Sequence, residues 1–325
     1  MRRNRPSILT PLLGIAAATT AVMAIAPGSA RPQRPAQQPV VAGTLLPNPH
    51  NSYPLEDNLL GTSVAVFDDG VMGGAPKSDG LGVFRGGADT FRFFNGSWRE
   101  DAVSAISGAI NRLMVPHSLL ASDHAWFGQA MSASGTVVAI GAPGATLADS
   151  VDDVTETIEP WLGVDPSPDV DAGVVVIAQR RAGGWQLTGT IRLNESTTLL
   201  ADASHVLQDR AKWQFGRSVS LTSAYLAVGA PYANVRPSPG ATAQPEVGAV
   251  VVYKAVGQGW APEAILTPSD LDTSHWPHSA NGFEYFGHSV SISNTRLAIG
   301  APNAEMATED INFNAGAVHI FEKDA

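Results

Sequence analysis

Val290 and Ile292 alternate with Ser289, Ser291 and Ser293, a period of two that predicts a strand. Ser293-Asn294-Thr295 is a turn cluster, and Leu297-Ala298-Ile299 follows as a short apolar strand. Gly300-Ala301-Pro302 ends it, because proline lacks a backbone donor and belongs at a strand end. Phe286–Pro302 therefore reads as a hairpin of two strands, a and b. The pattern returns at Phe215–Pro231 and Phe127–Pro143, and in a worn copy at Leu60–Pro76. First residue and closing proline are 16 positions apart in all four. A fixed internal repeat decides the architecture before any single residue does.

A second landmark follows each hairpin. Gly248–Tyr253 is an apolar run leading to Gly257-Gln258-Gly259-Trp260, and Gly173–Ile177 leads likewise to Gly183-Gly184-Trp185. Thr90–Phe94 leads to Asn95-Gly96-Ser97-Trp98. From Gly86, Gly173 and Gly248 the tryptophan is always 12 residues on. An apolar run, a glycine turn and a return predict a second hairpin, strands c and d, with d at Leu187–Leu193 or Glu263–Thr267. Four antiparallel strands per repeat make one propeller blade.

These residues resemble the FG-GAP repeat of integrin alpha-chain propellers and of many exported bacterial proteins. The likeness covers roughly residues 43–325. Phe-Gly and Gly-Ala-Pro stand intact in three copies; the first has Leu60 for Phe and Gly73-Gly74-Ala75-Pro76 at its end. The fold expected is all-β, a β-propeller of four FG-GAP blades. The resemblance also implies adhesion-type recognition of a protein or cell-surface ligand. Integrin relatives use seven blades, so four is a departure. The family often carries an Asp-rich calcium loop between strands a and b. Here Ser134-Gly135-Thr136, Thr222-Ser223-Ala224 and Ser293-Asn294-Thr295 are too short and lack the carboxylates a hard cation needs. Asp68-Asp69-Gly70 is the acidic exception and reads as a plain turn. No metal site and no cofactor are expected.

The two ends of the chain suggest how a ring closes. Val41–Leu46 has the character of a strand d with no strand c before it, while Ala317–Phe321 is a strand c with no d after it. Pairing of Thr44–Leu46 with Val318–Phe321 would complete the fourth blade and remove exposed edges.

Arg2, Arg3 and Arg5, the apolar stretch Ile8–Ala26 and the small residues Gly28-Ser29-Ala30 read as an export signal over residues 1–30. An uncleaved membrane anchor is the rival. Residues 31–42 form a Pro/Gln-rich linker. A secreted, periplasmic or envelope location follows. The absence of cysteine excludes disulfides and thiolate metal sites. Without the leader the chain has 17 basic against 30 acidic residues, a formal charge near −13. That surface argues against nucleic acid and anionic membrane as partners.

Loop lengths sort by position. The a–b and c–d turns are short, whereas the b–c and d–a connections are long and lie on one face of an up-and-down blade. Long loops on a rigid scaffold are where binding resides. The acidic connection carries Asp149, Asp152, Asp153, Glu156, Glu159, Asp165, Asp169 and Asp171, with Trp161 among them and no Lys or Arg. It reads as a solvated insertion or as a surface for a cation or a basic partner. His275, Trp276 and His278 are the nearest approach to a metal cluster, but Pro277 breaks the helix that would align the two histidines. Trp126, Trp213 and Tyr285, just before the repeat starts, read as packing residues. No Gly-x-Ser-x-Gly elbow or phosphate loop is present. The expected function is a non-enzymatic propeller binding an extracellular or envelope protein through its loop-rich face. A carbohydrate-binding propeller is the alternative, and a hydrolase a third.

Overall fold

Alternating apolar positions pair into the hairpins that the repeat predicts, and the pairing is the same in each copy. The computed structural model describes residues 44–45, 59–77, 86–100, 112–113, 124–146, 172–182, 184–193, 212–235, 244–268, 283–307 and 312–323. Blade 1 comprises β1 (Ser63–Phe67), β2 (Gly70–Ala75), β3 (Gly87–Phe94), β4 (Ser97–Glu100) and a short β5 (Arg112–Leu113) that also pairs with β3. Blade 2 comprises β6 (Ala130–Ser134), β7 (Val137–Ala142), β8 (Val174–Arg181) and β9 (Gly184–Ile191). Blade 3 comprises β10 (Ser218–Leu221), β11 (Tyr225–Ala230), β12 (Ala249–Val256) and β13 (Gly259–Leu266). In blade 4, β14 (Ser289–Ile292) and β15 (Arg296–Ala301) are followed by a separate hairpin, β16 (Glu305–Ala307) with β17 (Asn312–Asn314). β18 (Ala317–Glu322) then pairs with β15. The protein is an all-β propeller of four blades.

The b–c register repeats without a slip. Gly74 faces Ala88, Gly141 faces Val175, Gly229 faces Val250 and Gly300 faces Val318. The tryptophans close each c–d hairpin: Phe93 faces Trp98, Arg180 faces Trp185 and Ala255 faces Trp260. The strands run further than the hydrophobic pattern indicates. β9 and β13 begin at the turn glycines, before the tryptophans, and strand b continues through Gly-Ala to the closing proline. The backbone keeps its ladder where side chains shrink, because those glycines sit against the next blade.

That contact explains the two recurring dipeptides in physical terms. A Cβ on Gly74, Gly141 or Gly229 would lie under 3.0 Å from the carbonyl oxygen of Gly128, Gly216 or Gly287 in the following blade. Those partner glycines have φ of +89°, +92° and +89°, a region that other residues adopt at a cost. The phenylalanine before each of them, Phe127, Phe215 and Phe286, is fully buried. Phe215 N donates to Ala172 O at 2.9 Å and Phe286 N to Val247 O at 2.9 Å, so backbone bonds also cross between blades. Serines add more: Ser63 Oγ donates to Gly128 O (2.6 Å), Ser218 Oγ to Gly287 O (2.7 Å), and Ser132 and Ser220 Oγ accept from Leu221 N (2.9 Å) and Ile292 N (3.0 Å).

Three apolar cores fill the joints. One unites blades 1 and 2 around Met72, Phe127, Ile140 and Val176, with Trp185 edge-on to Phe67 at 5.0 Å. A second unites blades 2 and 3 around Val175, Ile177, Trp213, Phe215 and Val251. A third unites blades 3 and 4 around Val250, Val252, Phe286, Leu297 and Ile299. Trp213 is thus a core residue, as its place before the repeat suggests.

The expected closure between the chain ends is not seen among the described residues. Thr44 and Leu45 belong to no strand, and β18 is the outer strand of its sheet, paired with β15 alone. Leu46 and residues 41–43 lie outside the described residues, as do the leader and the linker. Spare strand character at an end marks the capacity to pair and does not choose the partner.

Candidate functional site

Antiparallel connectivity puts the ends of the long b–c and d–a connections on one edge of every sheet. In blade 2 the Ala142↔Val174 end of the ladder leads into one such connection, and the turns Ser134–Val137 and Arg181–Gly184 lie at the opposite edge. The residues singled out for this rim are Asp149, Asp152, Asp153, Glu156, Glu159, Trp161, Asp165, Asp169, Asp171, His275, Trp276 and His278. All lie outside the described residues. Among the described residues no group of three or more His, Asp or Glu could hold a metal ion. Asp69, in the one acidic a–b turn, pairs with Arg92 of its own blade at 2.6 Å.

The described part of the rim is best built across the joint of blades 3 and 4. The b–c connection of blade 3 is pinned by two backbone bonds, Val235 N to Gln244 O (3.0 Å) and Gln244 N to Val235 O (2.8 Å). Asn234 Oδ1 accepts from Glu246 N at 3.1 Å. The segment entering blade 4 then lies along this connection: Phe283 N donates to Pro245 O (2.9 Å) and Tyr285 N to Glu246 O (3.2 Å). Tyr285 takes φ of +57°, the left-handed conformation also taken by Leu59, Trp126 and Gln214 at the same place in the other repeats. Its ring meets that of Tyr232 at 5.1 Å between centroids, tilted by 52°.

Electrostatics tie this pair to a carboxylate. Burial raises the Tyr285 phenol above its ordinary value, and a hydrogen bond to Glu246, its charge and the neighbouring Tyr232 raise it further. Tyr285 therefore stays protonated and donates to the Glu246 carboxylate. Beside it His288, whose side chain is partly open to solvent, is held below its ordinary 6.5, first by partial desolvation and then by the Arg217 guanidinium. The folded chain thus binds fewer protons than the unfolded chain between that lowered value and 6.5. Stability contributed by His288 rises with pH through this window and is lost as pH falls through it. Lowering pH from about 7.5 to about 5.5 should depress the melting temperature, and His288→Gln should flatten that part of the curve. An identical pH profile for the variant would refute this.

On the opposite, short-turn edge the same joint holds a cleft of about 240 Å³. Its floor is apolar, from Val252, Ala264, Leu266, Ile292 and Phe321, and its mouth carries Glu263, Arg296, Glu322 and Lys323. Arg296 Nε donates to Glu322 Oε1 at 2.8 Å, and Lys323 lies over the Tyr225 ring and donates to its hydroxyl. The cleft is smaller than the roughly 300–1,000 Å³ of ordinary ligand pockets. The Arg296–Glu322 pair is exposed on both sides, so Glu322→Gln should change unfolding free energy by no more than about 1 kcal/mol. A larger change in a urea titration would show a structural role that exposure hides.

The sequence pointed to Tyr285 as packing alone and passed over Tyr232, Glu246 and His288. Tyr232 directly follows the closing proline of the third repeat, where the other copies have Lys77, Gly144 and Asn303. That departure was the available signal.

Residues 260–321 match the FG-GAP repeat family. With the four-blade architecture this decides the question. The chain is an FG-GAP repeat propeller. No curated protein matches it significantly. Among solved structures the FG-GAP propeller has a likeness to the N-terminal domain of Nup159, with 9% identity and a TM-score of 0.32. The match covers 81% of this chain and 44% of that one, so the chain spans less than half the length of that structure.

Proposed function

We propose that this propeller is a non-enzymatic recognition module that binds a protein or cell-surface ligand through its loop-rich face. The observation that carries the reading is the Tyr232–Tyr285 pair with Glu246 at that face, held by backbone bonds between blades 3 and 4. Aromatic rings with a fixed acceptor beside them suit a protein anchor, since tyrosine offers area at small entropic cost. The proposed setting is the cell exterior or envelope, on the strength of the basic and apolar residues 1–30. Two measurements test this. Immobilised protein should retain an envelope protein from its own organism, and the Tyr232→Ala/Tyr285→Ala variant should lose it. Retention unchanged by that variant would sink the reading. A glycan array lit by the parent and dark with the variant would favour the carbohydrate-binding alternative, which the same two rings would serve.

A further inference from the structure

The two end faces of the propeller carry the complementary halves of a fourth joint. We propose that they join two copies of this chain head to tail, making one ring of eight blades. This rests on the blade joints and not on the rim reading.

The three filled joints define what a joint needs. The outgoing face of a blade offers one or two serines on strand a (Ser63 in blade 1, Ser132 in blade 2), a strand-b glycine without room for a Cβ, and two buried side chains on strand c. In blade 3 these are Ser218, Ser220, Gly229, Val250 and Val252. The incoming face offers a glycine with positive φ, a backbone N–H on strand a, and two apolar residues there. In blade 4 these are Gly287, the N–H of Ile292, and Val290 with Ile292.

Blade 4 repeats the whole outgoing set with nothing against it. Ser289 and Ser291 are exposed, and a Cβ on Gly300 would meet only Ser289 atoms of its own blade. Val318 and Ile320 stand where Val250 and Val252 are buried, yet are 70% and 57% exposed. Blade 1 repeats the incoming set, equally uncovered. Gly61 has φ of +93° with nothing within 4 Å of a Cβ, whereas Gly128, Gly216 and Gly287 all meet the preceding blade. Val64 and Val66 are 70% and 73% exposed, at the positions of the buried Val219 and Leu221. Val66 N–H would find Ser291 Oγ, as Ile292 N–H finds Ser220 Oγ.

A second copy is the occupant this argument selects, because it continues an interface already made three times within the chain. Exposed apolar faces of this kind on a β protein mark interaction surfaces. Two arcs related by a two-fold axis satisfy both ends at once and leave no face open. Eight blades is within the range that propellers reach.

The purified full chain should sediment as a two-chain species across a concentration series. Val64→Glu and Val318→Glu should each abolish it while leaving the melting temperature of the dilute chain unchanged, since both side chains are already exposed there. Cysteine linkage gives an independent readout, as the chain has no cysteine of its own. Mixing Val66→Cys with Ser291→Cys protein should give a disulfide-linked pair on oxidation, and neither variant alone should do so. A monomer at every concentration overturns the proposal. So does an intramolecular link in the Val66→Cys/Ser291→Cys double variant, which would mean that one chain closes on itself. A dimer that survives both glutamate substitutions, or an open ladder of larger species, overturns it too.

Discussion

Gly229→Ala should destabilise the protein by about 3 kcal/mol or more, at or beyond the top of the usual overpacking range, while Gly300→Ala should change stability by no more than about 0.5 kcal/mol. The two glycines hold the same place in the repeat and neither has a positive φ. They differ in what a methyl group would meet. At Gly229 it is the Gly287 carbonyl, backbone that can yield only if blade 4 shifts away from blade 3. At Gly300 it is the Ser289 hydroxyl, which can rotate aside. Urea titration of both variants in dilute solution is the measurement. Equal midpoints would mean that close approach between blades is not what the glycine provides.

Phe215→Ala is expected to cost about 3–5 kcal/mol, the usual range for a fully buried phenylalanine. A domain of this kind has about 5–15 kcal/mol in total, so the variant should unfold early or fail to accumulate. Phe215 has no exposed surface and lies between the second and third blades, edge-on to Tyr253 at 6.4 Å. Leu60 stands at the same repeat position in the first blade, with no blade before it and a partly exposed side chain. Leu60→Ala should therefore cost only about 1 kcal/mol. The comparison uses thermal melts, and comparable losses at both positions would contradict the unfilled first face.

Most of this fold was legible because its determinants are local. The hairpin a–b shows in period-two alternation, and the c–d hairpin in a fixed glycine-to-tryptophan interval. Features set by tertiary contact were not legible. The β16–β17 hairpin has no glycine turn signal between Ala307 and Asn312. β5 is two residues long and pairs with β3 through Ala88↔Leu113 and Asp89↔Arg112, a partner no local pattern names. Whether the ends meet depends on angles accumulated over four blades, which no local pattern records. The site divides in the same way. Long connections announce a rim, but the meeting of Tyr232 with Tyr285 across a joint depends on packing between repeats. Among the described residues the tyrosines and Glu246 stand where acidic and histidine-rich segments had drawn attention elsewhere.

The unchanging register between strands b and c has a consequence for how such a chain can be inherited. Every blade presents the same strand-b glycine on one side and the same positive-φ glycine on the other. An in-frame excision from one Phe-Gly to the next would remove one of each and leave the neighbours matched. A duplication across the same interval would add one of each. Copy number is then a quantity that recombination can change in whole steps, without compensating substitutions in the units that remain.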